Sequence, residues 1–348
     1  MKRREMIKGT VLGAAALFGS KPLEAEAGGA PAQVIKPRRL QTGMRVGVVA
    51  PASPTEDNER TRFALDIVRS LGFEVVEGGH LYRRTQYLAG TDRERASDLM
   101  AMFADTSVDA IFCLRGGYGA SRILPLLDYD LIRRNPKALI GYSDITALLN
   151  AIFLKTGLIG FHGPVANQTF SDYSLEAFDK VLFAAQAPVM IGAAPPFETA
   201  RGRAEEENRI TVFKAGKSQG RLIGGNLSLV TALMGTPFEP DFRDKILVLE
   251  DVGEAPYRID RMLTQLWLAG RLQQAAGIAF GKFTDAKSCG NSFSIEDVIA
   301  QRCADLDVPV VRGFMIGHIQ DQTLVPIGAR AELDGDLGRL RLLEAAVS

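Results

Sequence analysis

Hydrophobic positions beyond the amino terminus alternate between short continuous runs and runs with helical spacing. Residues 45–50 form an apolar run that is typical of a buried parallel strand. Phe63, Ile67 and Leu71 follow at helical spacing, and residues 73–76 form a second apolar run. The pattern therefore predicts a strand, a helix and a second strand.

The same alternation continues through the next part of the chain. Residues 96–103 repeat apolar side chains at helical spacing, residues 108–114 read as the next strand, and another apolar run precedes Ser143. A β-α-β-α order predicts a doubly wound α/β domain, which we place at residues 40–170. Ligands of such domains bind beyond the carboxyl ends of the strands.

Residues 171–217 differ from both flanks. They contain Ala-Pro pairs and three consecutive glutamates and have weak periodicity, so we interpret them as a connector between domains. Strand and helix patterns resume beyond them, including a helix opened by the capping-box-like pair Ser294 and Asp297. Residues 218–346 are predicted to form a second, mixed α/β domain with strands over residues 245–250, 277–283, 308–311, 329–333 and 339–343.

The composition excludes several classes of protein. With 46% hydrophobic and 24% charged residues in a chain of 348, it is that of a soluble globular protein and not of a membrane or disordered one. The 41 basic side chains balance 41 acidic ones, which removes the electrostatic reason to expect nucleic acid as the main partner. A small molecule or a peptide is the expected ligand.

Neither a metal nor a cofactor is predicted. None of the three histidines is spaced as a metal pair, and the three cysteines lack metal-type spacing. Gly116-Gly117 is without the G-x-G-x-x-G spacing and the ribose-binding acid of a dinucleotide site. Cys113 lies in an apolar run and is expected to be buried. Cys289 and Cys303 could pair in an oxidising compartment, although nothing in the sequence requires it.

Residues 1–27 are predicted to be a targeting segment outside the fold. Arg3-Arg4, followed by a short apolar stretch and a lysine, resembles a twin-arginine export signal. The apolar run over residues 9–19 is too short to span a bilayer, and residues 25–27 offer a small-residue cleavage site. This predicts a periplasmic protein with no stable membrane insertion after cleavage. The alternative is a cytoplasmic protein with a basic start.

Ser143 is a candidate nucleophile because of where the pattern places it. The apolar run breaks at Gly141, and a helical pattern starts near Ile145, so Ser143 lies at a sharp turn from strand to helix. A nearby base could activate its hydroxyl, and the helix N-terminus could stabilise an oxyanion. The alternative is a simple helix cap, and the closing glycine of G-x-S-x-G is absent.

An acid and a base are predicted at two further strand ends. Glu250 ends the apolar run at residues 245–249, and His318 follows the strand over residues 308–311 by a few positions. With Ser143 they make a triad in the order Ser, Glu, His. In the simpler alternative His318 is a loop residue, and Glu250 or its neighbour Asp251 pairs with the arginines of the following helix.

Five stretches combine glycines with polar or charged side chains. They are Arg115-Gly-Gly-Tyr-Gly119, Gly141-Tyr-Ser-Asp-Ile-Thr146, Gly224-Gly-Asn-Leu227 with Gly235-Thr-Pro237, Leu249-Glu-Asp-Val-Gly-Glu254 with Pro256-Tyr-Arg-Ile-Asp-Arg261, and Gly317-His318. Together they resemble the motifs of the LD-carboxypeptidase family of serine peptidases, which includes the self-immunity hydrolases for microcin C7. The match runs from about residue 41 to the carboxyl end. It implies an N-terminal Rossmann-like domain, a C-terminal domain of its own topology and an active site at their junction.

The resemblance also implies a role for each candidate residue. Ser143 would be the nucleophile, His318 the general base and Glu250 its orienting acid. The backbone N–H groups of Gly117 and Asp144 would form the oxyanion hole. The remaining candidates, all for substrate binding, are Arg115 for a terminal carboxylate, Tyr142, and His162, which is also the strongest rival base and could instead be structural.

The implied activity is hydrolysis of an L,D peptide bond that releases the terminal D-alanine of murein tetrapeptides. Two alternatives stay open: an aminoacyl-nucleotide hydrolase of the microcin immunity type, which the export signal disfavours, and a non-catalytic periplasmic binder of muropeptides. The sequence leaves undecided whether the chain forms a homodimer and which diamino acid precedes the scissile bond.

Overall fold

Two β-sheets organise the molecule. The computed structural model describes residues 33–288 and 290–348, so the predicted signal at residues 1–27 and Cys289 lie outside the described residues. The strands are, in chain order, β1 (Arg45–Val49), β2 (Glu74–Glu77), β3 (Ala110–Cys113), β4 (Ala138–Ile140), β5 (Gly160–His162), β6 (Val189–Ile191), β7 (Thr211–Lys214), β8 (Lys217–Asn226), β9 (Lys245–Val252), β10 (Gly277–Thr284), β11 (Val310–Arg312), β12 (Val325–Ile327), β13 (Arg330–Asp334) and β14 (Arg339–Leu342).

Helices connect most of these strands. They are α1 (Asn58–Ser70), α2 (Asp92–Ala104), α3 (Ala120–Ile123), α4 (Tyr129–Arg134), α5 (Thr146–Thr156), α6 (Asp172–Phe178), α7 (Leu227–Ala232), α8 (Pro256–Leu268), α9 (Arg271–Gln274) and α10 (Ile295–Arg302). The capping box predicted from Ser294 and Asp297 opens α10 and is confirmed. Helix α5 ends at Gly157, whose φ of 80° is the left-handed conformation that glycine tolerates best.

The first sheet has the strand order β12-β5-β4-β3-β1-β2. Its strands pair in parallel, except that β12 runs antiparallel to β5. Without β12 this is the 2-1-3-4-5 order of a doubly wound domain, which confirms the fold predicted from the alternating pattern. The order reverses between β1 and β3, so the loops after these two strands open at the switch point where such folds bind ligands.

The second sheet has the order β6-β14-β13-β8-β9-β10-β11-β7. Strands β8 to β11 are parallel, and antiparallel strands complete both edges, so this is the predicted mixed α/β domain. The segment interpreted as a connector, residues 171–217, is more ordered than its composition suggests. It contains α6 and the two edge strands β6 and β7, which pair with β14 and β11.

Strand β12 links the two sheets. It follows β11 in the chain but pairs with β5 of the first sheet, with Val325 opposite His162 and Ile327 opposite Gly160. Strand β13, a few residues later, returns to the second sheet beside β8. Residues 218–346 therefore contribute to both sheets, and this exchange holds the domains against each other.

No helix within residues 33–288 and 290–348 is long and apolar enough to cross a membrane.

Candidate active site

Ser143 lies at a strained turn. Strand β4 ends at Ile140, a single 3-10 turn covers Ser143–Ile145, and α5 begins at Thr146. The φ of Ser143 is +62°, a left-handed conformation that is uncommon for a residue with a side chain. Gly116 approaches so closely that a Cβ there would lie 2.8 Å from the Cβ of Ser143. The turn thus presents the Ser143 hydroxyl away from the sheet, as the sequence predicts for a nucleophile.

Asp144 connects this turn to the glycine-rich loop over residues 115–119. Its buried Oδ2 accepts a hydrogen bond of 2.7 Å from the N–H of Ala120, the residue that ends the loop. Burial raises the pKa of Asp144 to about 6, although the Ala120 N–H and the charge of Arg95 act in the opposite direction. The backbone N–H groups of Gly117 and Asp144 donate a hydrogen bond to none of the described residues. Both are available for the oxyanion role that the resemblance implies.

Glu250 and His318 form a buried pair. The Nδ1 atom of His318 lies 2.8 Å from Oε2 of Glu250, and the Glu250 side chain is 0% exposed. Gly317 has a φ of +124°, and a Cβ there would lie 2.9 Å from Oε2 of Glu250, so glycine is needed beside the pair. The bond directs one ring nitrogen of His318 to the acid and leaves Nε2 to act on a substrate or a nucleophile.

The charge of Glu250 is maintained by two histidines. Burial alone would raise its pKa, but His162 and His318 outweigh this and lower the pKa of Glu250 to about 2. The carboxylate is therefore ionised at neutral pH despite its burial, which is the state required of an acid that orients an imidazole.

Asp251 faces away from His318, as the alternation along β9 predicts. The alternative in which it pairs with the arginines of the next helix is wrong. Its Oδ1 accepts from Asn226 Nδ2 at 3.0 Å, and its Oδ2 accepts from the N–H and the hydroxyl of Ser228 at 3.0 and 2.8 Å. Arg258 instead pairs with Glu254 at 3.5 Å. Asp251 thus caps the start of α7 and stabilises the second domain.

Ser143 and His318 line the same open cleft, which has a volume of about 480 Å³. No hydrogen bond joins their side chains among the described residues, and catalytic contacts of this kind tighten when substrate binds. Arg115 and Gly117 line the same cleft. The Nη1 of Arg115 donates to the carbonyl of Pro54 and to Oε1 of Glu56, both at 3.2 Å, which holds its charge at the cleft wall.

Tyr142 and His162 were both predicted to bind substrate, but one lines the cleft and the other is buried. Tyr142 lines the cleft, and burial together with the charge of Glu250 raises its pKa to about 12, so its hydroxyl is neutral. His162 is 0% exposed and lies behind Glu250, with its Nε2 atom 3.7 Å from Oε1 of Glu250. Because no face of this imidazole reaches the cleft, the substrate-binding role is replaced by the structural one that the sequence left open.

The sequence missed residues that fix the domain junction. Asn150 and Thr146 on α5 hydrogen-bond to the backbone of Gly224 and Asn226 at the end of β8. The Gly224-Gly-Asn226 motif marked one side of this junction, but Asn150 had no signal beyond being a polar residue in an apolar helix.

In the part of the chain described here, no cluster of His, Cys, Asp and Glu side chains could hold a metal ion. Cys113 is buried in β3 as predicted, and the pairing of Cys303 with Cys289 stays a prediction.

Comparison with known proteins agrees with this geometry. Residues 46–163 match the LD-carboxypeptidase N-terminal domain, and residues 219–333 match the LD-carboxypeptidase C-terminal domain. A probable murein peptide carboxypeptidase of Bacillus subtilis is 41% identical over 315 residues, which cover 90% of this chain and 95% of that protein.

Two solved structures superpose on most of this chain. A mutant of the microcin C7 self-immunity protein in complex with adenosine monophosphate superposes with a TM-score of 0.80 at 28% identity, over 90% of this chain and 100% of that one. The muramoyltetrapeptide carboxypeptidase of Oxalobacter formigenes superposes with a TM-score of 0.72 at 28% identity, over 86% and 98%. With both family domains matched in order, the chain belongs to the LD-carboxypeptidase family and is a serine peptidase.

Proposed function

We propose that this protein is a serine carboxypeptidase that cleaves an L,D peptide bond and releases the terminal D-alanine of murein tetrapeptides. The observation that carries the proposal is the 2.8 Å contact between His318 Nδ1 and Glu250 Oε2 in a cleft that Ser143 also lines. The murein-peptide activity named for the Bacillus relative supports the choice of substrate. Membership of a peptidase family argues against a non-catalytic binder.

The reaction would begin with activation of Ser143. Glu250 accepts the Nδ1–H of His318, so Nε2 is the nitrogen that takes the proton of the serine hydroxyl. The serine oxygen then attacks the carbonyl carbon that precedes D-alanine. The negative charge that develops on the carbonyl oxygen is stabilised by the N–H groups of Gly117 and Asp144.

The second half of the reaction returns the enzyme to its starting state. The imidazolium of His318 donates its proton to the leaving amine of D-alanine, and the peptide remains bound to Ser143 as an acyl-enzyme. His318 then removes a proton from water, which hydrolyses the ester. The buried anion of Glu250 stabilises the imidazolium in both steps.

A carboxypeptidase must also recognise a free carboxylate. Arg115 lies at the wall of the cleft and offers the positive charge for this contact. Its ion pair with the exposed Glu56 would be exchanged for one with the substrate. Longer chains, which lack a carboxylate at this position, would be poor substrates.

The test is to incubate the purified protein with murein tetrapeptide and to measure free D-alanine by mass spectrometry. Release of D-alanine by the wild type and not by Ser143→Ala supports the proposal. Tripeptide and pentapeptide serve as matched controls, because neither presents a terminal D-alanine on an L,D bond. No release by a folded wild-type protein would contradict it.

The second candidate is hydrolysis of aminoacyl-nucleotide analogues, which the likeness to the microcin C7 self-immunity protein favours. An aminoacyl sulfamoyl adenosine included in the same assay separates the two activities. The resemblance of residues 1–27 to a twin-arginine signal favours a periplasmic location, where murein peptides are found and such nucleotides do not act.

A further inference from the structure

We propose that His162 is a positioning residue of the active site: its imidazole holds the second carboxylate oxygen of Glu250 and thereby fixes the orientation of His318. This inference rests on the proposed Ser143-His318-Glu250 triad and adds a fourth residue behind it.

Glu250 lies between two imidazoles. His318 Nδ1 contacts Oε2 at 2.8 Å, and His162 Nε2 lies 3.7 Å from Oε1. The side chains of Glu250 and His162 are both 0% exposed, so water does not compete for this contact. Each oxygen of the acid therefore faces its own histidine.

The inner contact involves polar atoms that lack other partners. Oε1 of Glu250 and both ring nitrogens of His162 are buried without a hydrogen bond among the described residues. A buried polar atom without a hydrogen bond costs free energy of folding. Because His162 Nε2 lies 3.7 Å from Glu250 Oε1, these two atoms can serve as partners for each other. A hydrogen bond would require an approach of about 0.7 Å, a shift of the kind that catalytic contacts undergo when substrate binds.

The packing confines the His162 ring to this place. A Cβ at Gly225 would lie 2.7 Å from Cδ2 of His162, so only a glycine leaves room for the imidazole. The ring of Tyr142 packs edge-on against His162, with ring centroids 6.0 Å apart, and at a tilt against His318, with centroids 4.8 Å apart. Rotation of either imidazole away from Glu250 is therefore restricted.

The contact also crosses the domain junction. His162 belongs to β5 of the sheet whose strand β4 precedes Ser143, whereas Glu250 lies on β9 of the other sheet and contacts His318. A hydrogen bond from His162 to Glu250 places the acid, and through it the base, relative to the nucleophile. Without this bond, the distance from Ser143 to the Glu250–His318 pair would depend on domain contacts that lie farther from the site.

The donor should also affect the proton affinity of the Glu250–His318 pair. The titratable groups near Glu250 are His162, His318 and Tyr142, and Asp251 follows on the opposite face of β9. An N–H donated to Oε1 stabilises the carboxylate, so its loss makes the pair bind a proton more tightly. The acid limb of the kcat/KM profile should then move to higher pH.

The test compares H162L, which removes the donor, with H162Q, whose amide can occupy the place of Nε2. We expect H162L to lower kcat about 10- to 100-fold with little change in KM and to shift the acid limb upward, because an orienting contact acts mainly in the transition state. H162Q should recover most of the rate and the wild-type profile. His80→Gln is the matched control, since His80 is paired with Asp98 at 2.7 Å and does not line the cleft.

Two results would overturn the proposal: a folded H162L with wild-type kcat and pH profile, or equal losses in folded H162L and H162Q. If H162L does not fold, H162N takes its place, because its amide overlies Nδ1 and cannot reach Oε1. If the wild type releases no D-alanine, the proposed function has failed. The rate at which a fluorophosphonate labels Ser143 then tests His162 in the same variants.

Discussion

The side chain of Asn150 is hydrogen-bonded to both backbone groups of Gly224, with Nδ2 donating to the carbonyl at 2.8 Å and Oδ1 accepting from the N–H at 2.9 Å. Asn150 lies on the helix that follows the nucleophile, and Gly224 lies on β8, next to the strand that carries Glu250. A single side chain thus completes the hydrogen bonding of a strand in the other domain.

Asn150→Ala should therefore weaken both the fold and the site. It leaves the N–H and the carbonyl of Gly224 buried without partners, and we expect a loss of about 2–4 kcal/mol in the free energy of unfolding together with a lower kcat. Urea denaturation and steady-state kinetics measure the two effects. Asn135→Ala, which removes one half-buried bond to Leu131, is the control. Equal stability of the two variants would contradict the assigned role.

Two replacements of Ser143 should distinguish the loss of the nucleophile, which lowers kcat, from the relief of backbone strain, which raises stability. Both Ser143→Ala and Ser143→Gly should lose about 10³-fold or more in kcat, because no nucleophile remains. Since the φ of Ser143 is +62°, the glycine variant should be more stable than the alanine variant by about 1 kcal/mol. Denaturant titration of the pair measures this difference. An alanine variant as stable as the glycine variant would show that the turn relaxes.

Glu250 and Asp251 should respond differently to loss of charge. Glu250→Gln should lower kcat about 10²- to 10⁴-fold with a similar melting temperature, because it weakens the orientation of His318. Asp251→Asn should instead lose about 1–3 kcal/mol of stability, since its amide would face the donors of Asn226 and Ser228. Kinetics and thermal melts of the two variants are the measurements. An inactive, fully stable Asp251→Asn beside an active Glu250→Gln would reassign the acid.

Asp144 should make the stability of the protein depend on pH. Its pKa is about 6 in the folded state against 3.8 without the fold, so the folded protein retains this proton where the unfolded chain releases it. The contribution is fully present below pH 3.8 and is lost as the pH rises through about 6. The free energy of unfolding of the wild type, minus that of Asp144→Asn, should therefore fall between these values. A difference that is constant with pH would contradict the assignment.

The export prediction depends on residues outside those that the structure describes. Replacing Arg3 and Arg4 by lysine should retain the protein in the cytoplasm, because the paired arginines are the feature that identifies the signal. Cell fractionation followed by immunoblotting measures the distribution. Unchanged recovery from the periplasm would mean that residues 1–27 act in another way.

The longer elements were predictable because each has its own periodicity. Strands β1, β3, β9 and β10 and helices α1, α2, α5 and α8 all lie where apolar runs or helical spacing place them. The short strands β5 and β12 were not predicted. Strand β5 consists of Gly160, Phe161 and His162 and so has no apolar run, and β12 contains Pro326, which reads as a loop residue. Pro326 is tolerated because β12 lies at the edge of its sheet.

The sequence alone determined the candidates for catalysis, because Ser143 and Glu250 each follow an apolar run and the alternation along β9 separates Glu250 from Asp251. Only the tertiary structure decided which groups meet: His318 on the cleft side of Glu250, His162 on the buried side, and Asp251 on Asn226 and Ser228. Local spacing fixes the face of an element on which a side chain lies. Contacts between residues 23 or more positions apart depend on tertiary packing. The packing of the two sheets is set by β12 and Asn150, which no local pattern singles out.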